Sequence, residues 1–437
     1  MTSVSPVEAA LARIGRQHDS IIDLSLDRLA ARLAALDNPQ HHLPPVFHVA
    51  GTNGKGSTVA FLRAFLEAAD YRCHAFTSPH LIRVTESVRV AGQLIADDAL
   101  LRLLTEIEAV PGEPVTGFEA LTAAAFLAFS RTPADAALIE VGLGGRTDAT
   151  NLIPNPLVTS VTRVSRDHQR FLGDTLEDIA AQKAGIFKPG RPAIVADQPD
   201  ATVRDRLVSQ AHVVGAPLFL HGRDWRATPT ANGFRYEGPN RTLDLPLPVL
   251  VGQHQVMNAA TALAMLDVSG GFPIDVEAIR QGLAQVRWPG RLQRLSTGPL
   301  ADLLPAGCEL WLDGAHNDSG GEALGRQAAL WRADAMPLYL VFGVRADKDA
   351  AAILKPLAPF AARLRAVATP GDAASLTAKA AAKAAMAAGF VDAQAAESVA
   401  AAIDSLVDSR VPCRILICGS LYLAGAVLKE NGTTIAQ

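Results

Sequence analysis

The stretch VFHVAGTNGKGST, residues 46–58, decides the fold class of this chain. Its first five residues, Val46–Ala50, are typical of a short β-strand, and a glycine-rich loop follows at once. Apolar residues then recur at helical spacing, at Leu62, Phe65, Leu66 and Ala69. A strand, a loop and a helix in this order direct backbone N–H groups and the positive end of the helix toward an anion. The stretch predicts a nucleotide phosphate site; the alternative is a glycine-rich turn with an exposed lysine.

The loop differs from the common P-loop pattern in two places. Gly56 separates Lys55 from Ser57, whereas the common pattern places Ser or Thr directly after the lysine. Val49 stands where that pattern has its first glycine. The strand and the helix on either side nevertheless supply the context that a phosphate loop requires, so we keep the phosphate interpretation.

Strand-like apolar runs and helical segments alternate through the N-terminal part of the chain. The runs lie at residues 137–141, 157–161 and 193–196, and the helical segments include 121–129 and 176–186. Apolar strands that alternate with helices are typical of a parallel sheet covered on both faces. This part is therefore predicted to be an α/β domain.

The alternation stops between residues 225 and 245 and then restarts. A turn at 236–240 separates two alternating segments, which predicts a small antiparallel hairpin patch. After residues 288–291, strand-like runs alternate again with Ala-rich helices, at 310–312, 338–342, 364–367 and 415–417. We expect a domain of residues 1–294 and a smaller α/β domain of residues 295–437. The Ala-rich stretch 373–388 is predicted to be a solvated surface helix.

Composition excludes several classes of protein. Forty basic and 44 acidic residues give a net charge of −4, which leaves no basic excess for nucleic acid. No apolar run approaches the ~20 residues that cross a bilayer, so no membrane partner is expected. The first 20 residues lack the apolar core of a signal peptide. The four cysteines show no zinc spacing and are interpreted as buried thiols of a cytoplasmic protein.

The order Gly-Thr-Asn-Gly-Lys-Gly-Ser at residues 51–57 resembles the ATP loop of the folylpolyglutamate synthase/dihydrofolate synthase family, relatives of the Mur ligases. The resemblance continues in family order from about residue 20 to 425. Its other motifs lie at residues 78–81, 140–151, 167–173, 183–186, 254–259, 289–291, 313–317, 347–349 and 419–422. It implies an N-terminal P-loop-type parallel-sheet ATPase domain that binds ATP and pterin and carries a small antiparallel patch. It also implies a smaller C-terminal Rossmann-like α/β domain for glutamate ligation.

The resemblance implies the residues that hold ATP and two magnesium ions. The implied ATP-binding residues are Thr52, Asn53, Gly54, Lys55, Gly56, Ser57, Asn258, Arg291 and Asp313. The implied metal ligands are Ser78, Glu140, His168 and Lys183, the last in carbamylated form. The implied catalytic residues are Lys55, Lys183 and His316.

The chemistry of these side chains permits such roles without requiring them. Glu140 ends an apolar strand, where a carboxylate can serve as a hard oxygen ligand; the alternative is a buried salt bridge with Arg146. His168 follows a neighbouring strand and, taken alone, is more often a surface loop histidine. Lys183 can be carbamylated only as the neutral amine, and its alternative is a lysine at the edge of the core.

The sequence departs from the family near two of these residues. Gln182 precedes Lys183 where the family commonly has Glu. Arg166 and Gln169 flank Asp167 and His168, where the family often has a small apolar residue and a Thr. These departures bear on the surroundings of the metal ligands, whereas the ligands themselves are present.

Three segments match family positions that hold the pterin. They comprise Asp23, Leu24, Ser25 and Leu26; Thr116, Gly117, Phe118 and Glu119; and Thr147, Asp148 and Ala149. Phe118 offers an aromatic face for a flat heterocycle, with core packing as the alternative, and the carboxylates offer acceptors for its N–H groups. His316 and Ser420 match positions that contact the incoming glutamate.

The function implied is ATP-dependent ligation of L-glutamate to 7,8-dihydropteroate and to reduced folates through an acyl phosphate. The expected partners are therefore small molecules, namely dihydropteroate, folates and L-glutamate, and a monomer is expected because most family members are monomers. The alternatives are a synthase with only one of the two activities, a Mur-type ligase, and a nucleotide-binding module without ligase chemistry.

Overall fold

The computed structural model describes residues 5–18, 23–334, 336–408 and 411–433. Over these residues the chain divides into two compact units. Of the described residues, those between 5 and 249 and 255–286 form the first unit, and 250–254 and those between 287 and 433 form the second. The division at Val286 and Arg287 precedes the boundary that the sequence analysis expects near residue 295.

An eight-stranded sheet forms the centre of the first unit. Its strands are β1 (Val46–Ala50), β2 (Cys73–Phe76), β3 (Val88–Val90), β4 (Gln93–Leu94), β5 (Ala136–Glu140), β6 (Val158–Val161), β7 (Ala193–Val195) and β8 (Leu218–Leu220). They lie in the order β4-β3-β2-β5-β1-β6-β7-β8, and the six strands from β2 to β8 along this order are parallel. The predicted parallel sheet is confirmed, with β1 between β5 and β6.

The antiparallel edge of this sheet was not predicted. β3 and β4 form a hairpin through Ala91 and Gly92, whose φ angles of 46° and 90° suit the two-residue turns that match strand twist. β3 then pairs antiparallel with β2. Strands of two and three residues are too short to show a readable alternation in the sequence.

Ten helices belong to the described part of the first unit. They are α1 (Pro6–Gly15), α2 (Asp27–Ala34), α3 (Lys55–Ala68), α4 (Asp97–Ala109), α5 (Gly117–Arg131), α6 (Gln169–Leu172), α7 (Leu176–Lys183), α8 (Ala201–Val214), α9 (Gln253–Ser269) and α10 (Val276–Gln285). Helix α5 is buried from Glu119 to Phe129 and forms the middle of a core with α1, α2 and α4. A second core joins the sheet to α7 and α8.

The predicted antiparallel patch is a sheet of three strands. They are β9 (Arg226–Thr230), β10 (Gly233–Glu237) and β11 (Thr242–Pro246), with β10 in the middle. Asp267 of α9 anchors this sheet, because its carboxylate accepts from the Tyr236 hydroxyl at 3.1 Å and from Arg241 Nε at 2.6 Å. The sequence showed the second turn but not the additional strand.

The second unit is built on a six-stranded sheet. Its strands are β12 (Gln293–Leu295), β13 (Glu309–Leu312), β14 (Leu338–Phe342), β15 (Ala361–Ala366), β16 (Ala393–Ala395) and β17 (Arg414–Cys418), in the order β12-β13-β17-β14-β15-β16. Its helices are α11 (Asp318–Trp331), α12 (Ala350–Leu354), α13 (Ala378–Ala387), α14 (Val399–Leu406) and α15 (Leu421–Glu430). All neighbours are parallel except β12 and β13, so the predicted second α/β domain is confirmed.

The Ala-rich surface helix is shorter and less solvated than predicted. It begins at Ala378 because the Thr377 hydroxyl caps it by accepting from the Ala380 N–H. Its lysines are exposed, but Ala381, Ala382 and Ala385 are buried in the core of the second unit. Alanine is small enough to let a helix pack closely on a sheet, so a run of alanines does not by itself indicate exposure.

The described residues contain neither a membrane-spanning helix nor a disulfide bond. Among them, no helix is both long and apolar enough to cross a membrane. All four cysteines are free; Cys73, Cys413 and Cys418 are buried, whereas Cys308 is half-buried.

Candidate active site

The phosphate loop of the first unit connects β1 to α3. Helix α3 begins at Lys55, directly after Gly54, whose φ of 91° is a conformation that glycine adopts without strain. The first N–H groups of a helix have no partners within it. Those of Lys55, Gly56 and Ser57 are therefore the groups that the fold offers to a phosphate.

The segment after β6 braces this loop from the neighbouring strand. The Arg163 carbonyl accepts from the N–H groups of Thr52 and Asn53, at 2.9 and 3.2 Å. The Thr162 hydroxyl donates to the Asn53 carbonyl at 2.8 Å. The N–H groups of Thr52 and Asn53 thus hold the loop in place.

Gln198 supports this brace in turn, and it was not among the residues that the sequence analysis singled out. Its side chain accepts from the Val164 N–H at 3.0 Å and donates to the Thr162 carbonyl at 2.9 Å. It is buried just past β7. A lone glutamine after a strand carries no sequence pattern, and Thr162, directly after the apolar run 157–161, was not singled out either.

Replacement of Gly54 by alanine is expected to weaken nucleotide binding at least about tenfold, which corresponds to ~1.4 kcal/mol. A Cβ at this position would overlap the side-chain oxygen of Asn258, and the positive φ adds strain. Gly190→Ala is the matched control, because Gly190 also has a positive φ but no atom lies near its Cβ position. Calorimetric titration with ADP measures both variants. Equal affinity in the two would contradict the expected contact.

Glu140 ends β5 beside the phosphate loop. One carboxylate oxygen is 3.9 Å from Lys55 Nζ, and the other accepts from the Ser78 N–H at 3.3 Å. The side chain is almost completely buried. Arg146, the alternative partner, instead donates to the Ala181 carbonyl. The fold therefore brings Lys55, Ser78 and Glu140 together at the carboxyl end of the parallel strands, where such sheets bind ligands.

Lys183 reaches the same loop from the end of α7. Its Nζ donates to the Gly51 carbonyl at 2.9 Å, and the residue is 4% exposed. Burial lowers the pKa of Lys183 to about 7, and the charge on Lys55 acts in the same direction. A substantial fraction of this amine is therefore neutral near pH 7. This is the protonation state that carbamylation requires.

His168 lies in the loop after β6, with a φ of 53°. Its ring is 39% exposed, and its Nε2 is 3.8 Å from the carboxylate of Asp167. Within the described ranges, no group of three or more His, Cys, Asp and Glu side chains is placed to hold a metal ion. A magnesium site here would draw on mixed donors, namely the Glu140 carboxylate, the Ser78 hydroxyl, His168 and a carbamate on Lys183. Oxygen predominates in this set, which fits magnesium.

Arg28, which the sequence did not single out, joins two of the three segments implied for the pterin, residues 23–26 and 116–119. Arg28 forms two hydrogen bonds to Glu119, at 2.5 and 3.0 Å, and an ion pair of 2.9 Å with Asp23. Burial alone would lower the pKa of Arg28, but the hydrogen bonds and charges of Glu119 and Asp23 have the larger combined effect and raise this pKa above its usual value. Arg28 thus ties the segment 23–26 to the start of α5. A single arginine in an amphipathic helix gives no sequence signal for this.

Glu119 is engaged on both oxygens. Besides Arg28, it accepts from the Thr116 N–H at 2.8 Å, and the Thr116 hydroxyl accepts from the Glu119 N–H, which makes a capping box at the start of α5. Through these contacts Glu119 holds Arg28 and the start of α5 together. The partly buried Phe118 lies against Gly142, and its ring centroid is 5.9 Å from that of Phe76.

Asp148 shapes the loop that follows β5. Its carboxylate accepts from the Leu143 N–H at 2.8 Å and from the Thr150 N–H and hydroxyl at 3.0 and 2.5 Å. Burial raises its pKa, against the effect of these donors. Thr147 and Ala149 flank it. His48 of β1 completes the network at 2.9 Å from the Thr150 hydroxyl.

The remaining implied residues fall in both units. Asn258 lies in the first unit beside Gly54, and its amide N–H donates to Gln255. In the second unit, the Asp313 carboxylate accepts from the N–H groups of Leu292 and Ala315, at 2.8 and 2.7 Å. Burial raises the pKa of Asp313, against the effect of Arg291.

His316 and Ser420 follow two strands of the second sheet. The Nδ1 of His316 is 2.9 Å from the Gly314 carbonyl oxygen. The Ser420 hydroxyl accepts from the Tyr422 N–H at 3.1 Å and caps α15. β13 and β17 are parallel neighbours, so both residues lie at the same edge of this sheet.

Comparison with known proteins agrees with this arrangement. Residues 49–266 match the model of the Mur ligase middle domain. The chain is 36% identical to the dihydrofolate synthase/folylpolyglutamate synthase of Escherichia coli K12, over 98% of this chain and 96% of that protein.

Two solved structures are similar over the same length. One is E. coli FolC in complex with DHPP and ADP, with 33% identity, a TM-score of 0.84, and coverage of 98% of this chain and 97% of that chain. The other is the bifunctional folylpolyglutamate synthase/dihydrofolate synthase of Yersinia pestis complexed with AMPPNP and a Mn ion, with 33% identity, a TM-score of 0.85 and coverage of 98% of both chains. By sequence and by fold, the chain belongs to the folylpolyglutamate synthase/dihydrofolate synthase family of Mur ligase relatives.

Proposed function

We propose that this chain ligates L-glutamate to 7,8-dihydropteroate and to reduced folates, with ATP as the source of energy. The observation that carries the proposal is the group around the phosphate loop, where Lys183 Nζ bonds the Gly51 carbonyl and Lys55 Nζ is 3.9 Å from Glu140. A chain that only binds nucleotide has no need of a second, buried lysine with a lowered pKa. The names of the similar enzymes supply the acceptor and the amino acid.

The reaction balances as two transfers. A carboxylate oxygen of the acceptor attacks the γ-phosphorus of ATP, the bond to the β-phosphate oxygen breaks, and ADP leaves. The glutamate amine then attacks the acyl carbon, the C–O bond to phosphate breaks, and inorganic phosphate leaves while the amine loses a proton. Activation is necessary because a carboxylate is a poor electrophile.

The residues of the first unit have distinct proposed roles. The N–H groups of Gly54, Lys55, Gly56 and Ser57 bind the phosphates, and the Lys55 ammonium stabilises the charge on the transferred phosphoryl group. Glu140, Ser78, His168 and carbamylated Lys183 would hold two magnesium ions, which neutralise phosphate charge when bound.

The pterin and the glutamate occupy different proposed sites. Phe118 offers a ring face and Asp148 an acceptor to the pterin, while Thr147, Ala149 and residues 23–26 border it. Glu119 and Thr116 support that surface through the capping box and Arg28. Asp313 and Arg291 are the residues proposed for the ribose and phosphate, and Asn258 is the residue proposed for the adenine. His316 and Ser420 bind the incoming glutamate.

We further propose that the enzyme is a cytoplasmic monomer. The free cysteines support the cytoplasmic location, because free thiols are typical of a reducing compartment. Sedimentation analysis at the concentrations of the assay tests the monomer.

Phosphate release tests the function directly. The protein is incubated with ATP, magnesium and L-glutamate, together with dihydropteroate, with tetrahydrofolate, or with neither. Release with both acceptors is the expected result, and release with one alone would make the enzyme a specialist. A UDP-muramoyl substrate is the control for a Mur-type activity. Folded protein that binds ADP but releases no acceptor-dependent phosphate would leave only a nucleotide-binding module.

Carbamylation of Lys183 is expected to rise between pH 6 and pH 8. With a pKa of about 7, the neutral amine grows from about a tenth to about nine-tenths of the total over this range. At a fixed concentration of dissolved ¹³CO₂, the ¹³C carbamate signal of the metal-free protein should therefore increase severalfold.

Two variants assign that carbamate signal. Lys183→Met should abolish it. Lys188→Met is the matched control, because burial also lowers the pKa of Lys188 but its Nζ lies near the Asn151 carbonyl, away from the phosphate loop. A signal that survives in Lys183→Met, or that does not change with pH, would contradict the assignment.

A further inference from the structure

Two thiols of the second unit lie side by side, far along their strands from the residues proposed for catalysis. Cys308 directly precedes β13 and Cys413 directly precedes β17, two parallel neighbours in which Glu309 is opposite Arg414. The two Sγ atoms are 3.2 Å apart, and the Cys413 N–H donates to Cys308 Sγ at 3.3 Å. The pair is therefore in direct contact.

The surrounding backbone fixes this contact. The Glu309 N–H donates to the Cys413 carbonyl at 2.8 Å, and the Cys308 N–H donates to the Pro305 carbonyl at 3.1 Å. The Cβ position of Gly307 lies 3.4 Å from Pro412, so the two preceding loops also touch. Neither strand has to move for the sulfurs to meet, which is the geometric requirement for a disulfide.

The two cysteines differ in solvent exposure, which decides which of them meets an oxidant first. Cys308 is half-buried and is therefore the more accessible of the two residues to a small oxidant, whereas Cys413 is buried. The other two cysteines cannot replace either member. Cys73 lies in the first unit, and Cys418 lies at the opposite end of β17, about 16 Å along a strand from Cys413.

We propose that Cys308 and Cys413 form a reversible disulfide when the protein meets hydrogen peroxide, so that this pair is a thiol-oxidation site. The Cys308 thiolate attacks the peroxide, the O–O bond breaks, and a sulfenic acid and water form. The Cys413 sulfur then attacks the sulfenic sulfur, the S–O bond breaks, and the departing hydroxide takes the Cys413 thiol proton and leaves as a second water. Two thiols lose two electrons and two protons, and the peroxide is reduced to water.

The bond would join the amino ends of β13 and β17. Asp313 and Ser420 follow the carboxyl ends of the same strands, so oxidation leaves the proposed ligand residues untouched. The bond closes a span of 105 residues, and long closed spans restrict an unfolded chain most. Oxidised protein should therefore keep its ligase activity within about twofold and show a thermal midpoint for the second unit that is higher by several °C.

The test uses the full chain and does not depend on the proposed function. Reduced protein is treated with a small excess of hydrogen peroxide, free thiols are alkylated, and the protein is digested without reductant for mass spectrometry. The expected product is one cross-linked peptide pair containing Cys308 and Cys413, about 2 Da lighter than the reduced pair and restored by dithiothreitol.

Variants decide between this pair and unspecific oxidation. Cys308→Ser should abolish the cross-link, and Cys413→Ser should do the same. Cys73→Ser is the control that should retain it. Alkylation of both thiols after peroxide would overturn the proposal, as would a sulfinic acid on Cys308 without a cross-link. Because Cys308 is half-buried, Cys308→Ser is the variant that keeps its fold if Cys413→Ser does not.

Discussion

The Lys183→Met variant should lose acceptor-dependent phosphate release by at least about 10³-fold while it still binds ADP. The change removes the amine that bonds the Gly51 carbonyl and, with it, the carbamate proposed as a metal ligand. Methionine is of similar length and places no charge in this buried position, so the fold should persist. Initial rates and ADP titration on the same preparation measure the two effects.

Two further variants separate charge from volume at this position. Lys183→Glu places a carboxylate close to where the carbamate would lie and should recover part of the lost rate. Lys188→Met is the control, because Lys188 contacts the Asn151 carbonyl rather than the phosphate loop, and this variant should keep a rate near that of the wild type. If Lys183→Met stays within tenfold of the wild type, Lys183 has no essential role in the reaction.

The Arg28→Met variant should lose about 3–5 kcal/mol of stability, because it leaves Glu119 buried without its partner. Both side chains of the pair are about 5% exposed or less. For a unit of this size the loss corresponds to a fall in thermal midpoint of roughly 6–15 °C. Differential scanning calorimetry measures it.

A double variant tests whether the loss comes from the unpaired carboxylate. Arg28→Met combined with Glu119→Gln should recover part of the stability, because the buried charge of Glu119 is then removed and only the more exposed Asp23 loses Arg28. Arg83→Met is the matched control, since Arg83 also forms a two-bond pair, with Asp97, but is exposed and should cost about 1 kcal/mol or less. Equal losses in Arg28→Met and Arg83→Met would show that burial does not determine the cost.

Arg28→Met should weaken binding of the pterin acceptor more than binding of ATP. Arg28 ties the segment 23–26 to Glu119 at the start of α5, and its contacts do not reach the phosphate loop. At a temperature where Arg28→Met is folded, the KM for dihydropteroate should rise more than the KM for ATP. A rise confined to ATP would place Arg28 in a different role.

The fold was predictable where each segment carries a clear local pattern and where that pattern also determines which neighbours the segment packs against. The apolar runs of β1, β5 and β6 and the glycine loop each carry their own signal, and neighbouring parallel strands necessarily end at one edge. β3 and β4 were missed because two or three residues hold no period. The solvation of α13 was misjudged because alanine is compatible with both exposed and buried faces.

The sequence named candidate residues for the site but not the network of contacts that joins them. Which carboxylate Arg28 pairs with depends on a contact between residues 91 positions apart, and no local pattern encodes it. For the same reason Glu119 looked like a ligand for the pterin, whereas its oxygens hold Arg28 and the Thr116 N–H. The pKa of Lys183 likewise follows from burial, which the sequence around it does not show.

Transfer of oxygen from the acceptor to phosphate tests the central claim most directly. Dihydropteroate with both carboxylate oxygens replaced by ¹⁸O is incubated with ATP, magnesium, L-glutamate and the enzyme, and the released phosphate is analysed by mass spectrometry. An acyl phosphate requires that each phosphate carry one ¹⁸O atom and that the new amide keep the other. Phosphate without ¹⁸O would mean that water attacks ATP, and the ligase mechanism would be wrong.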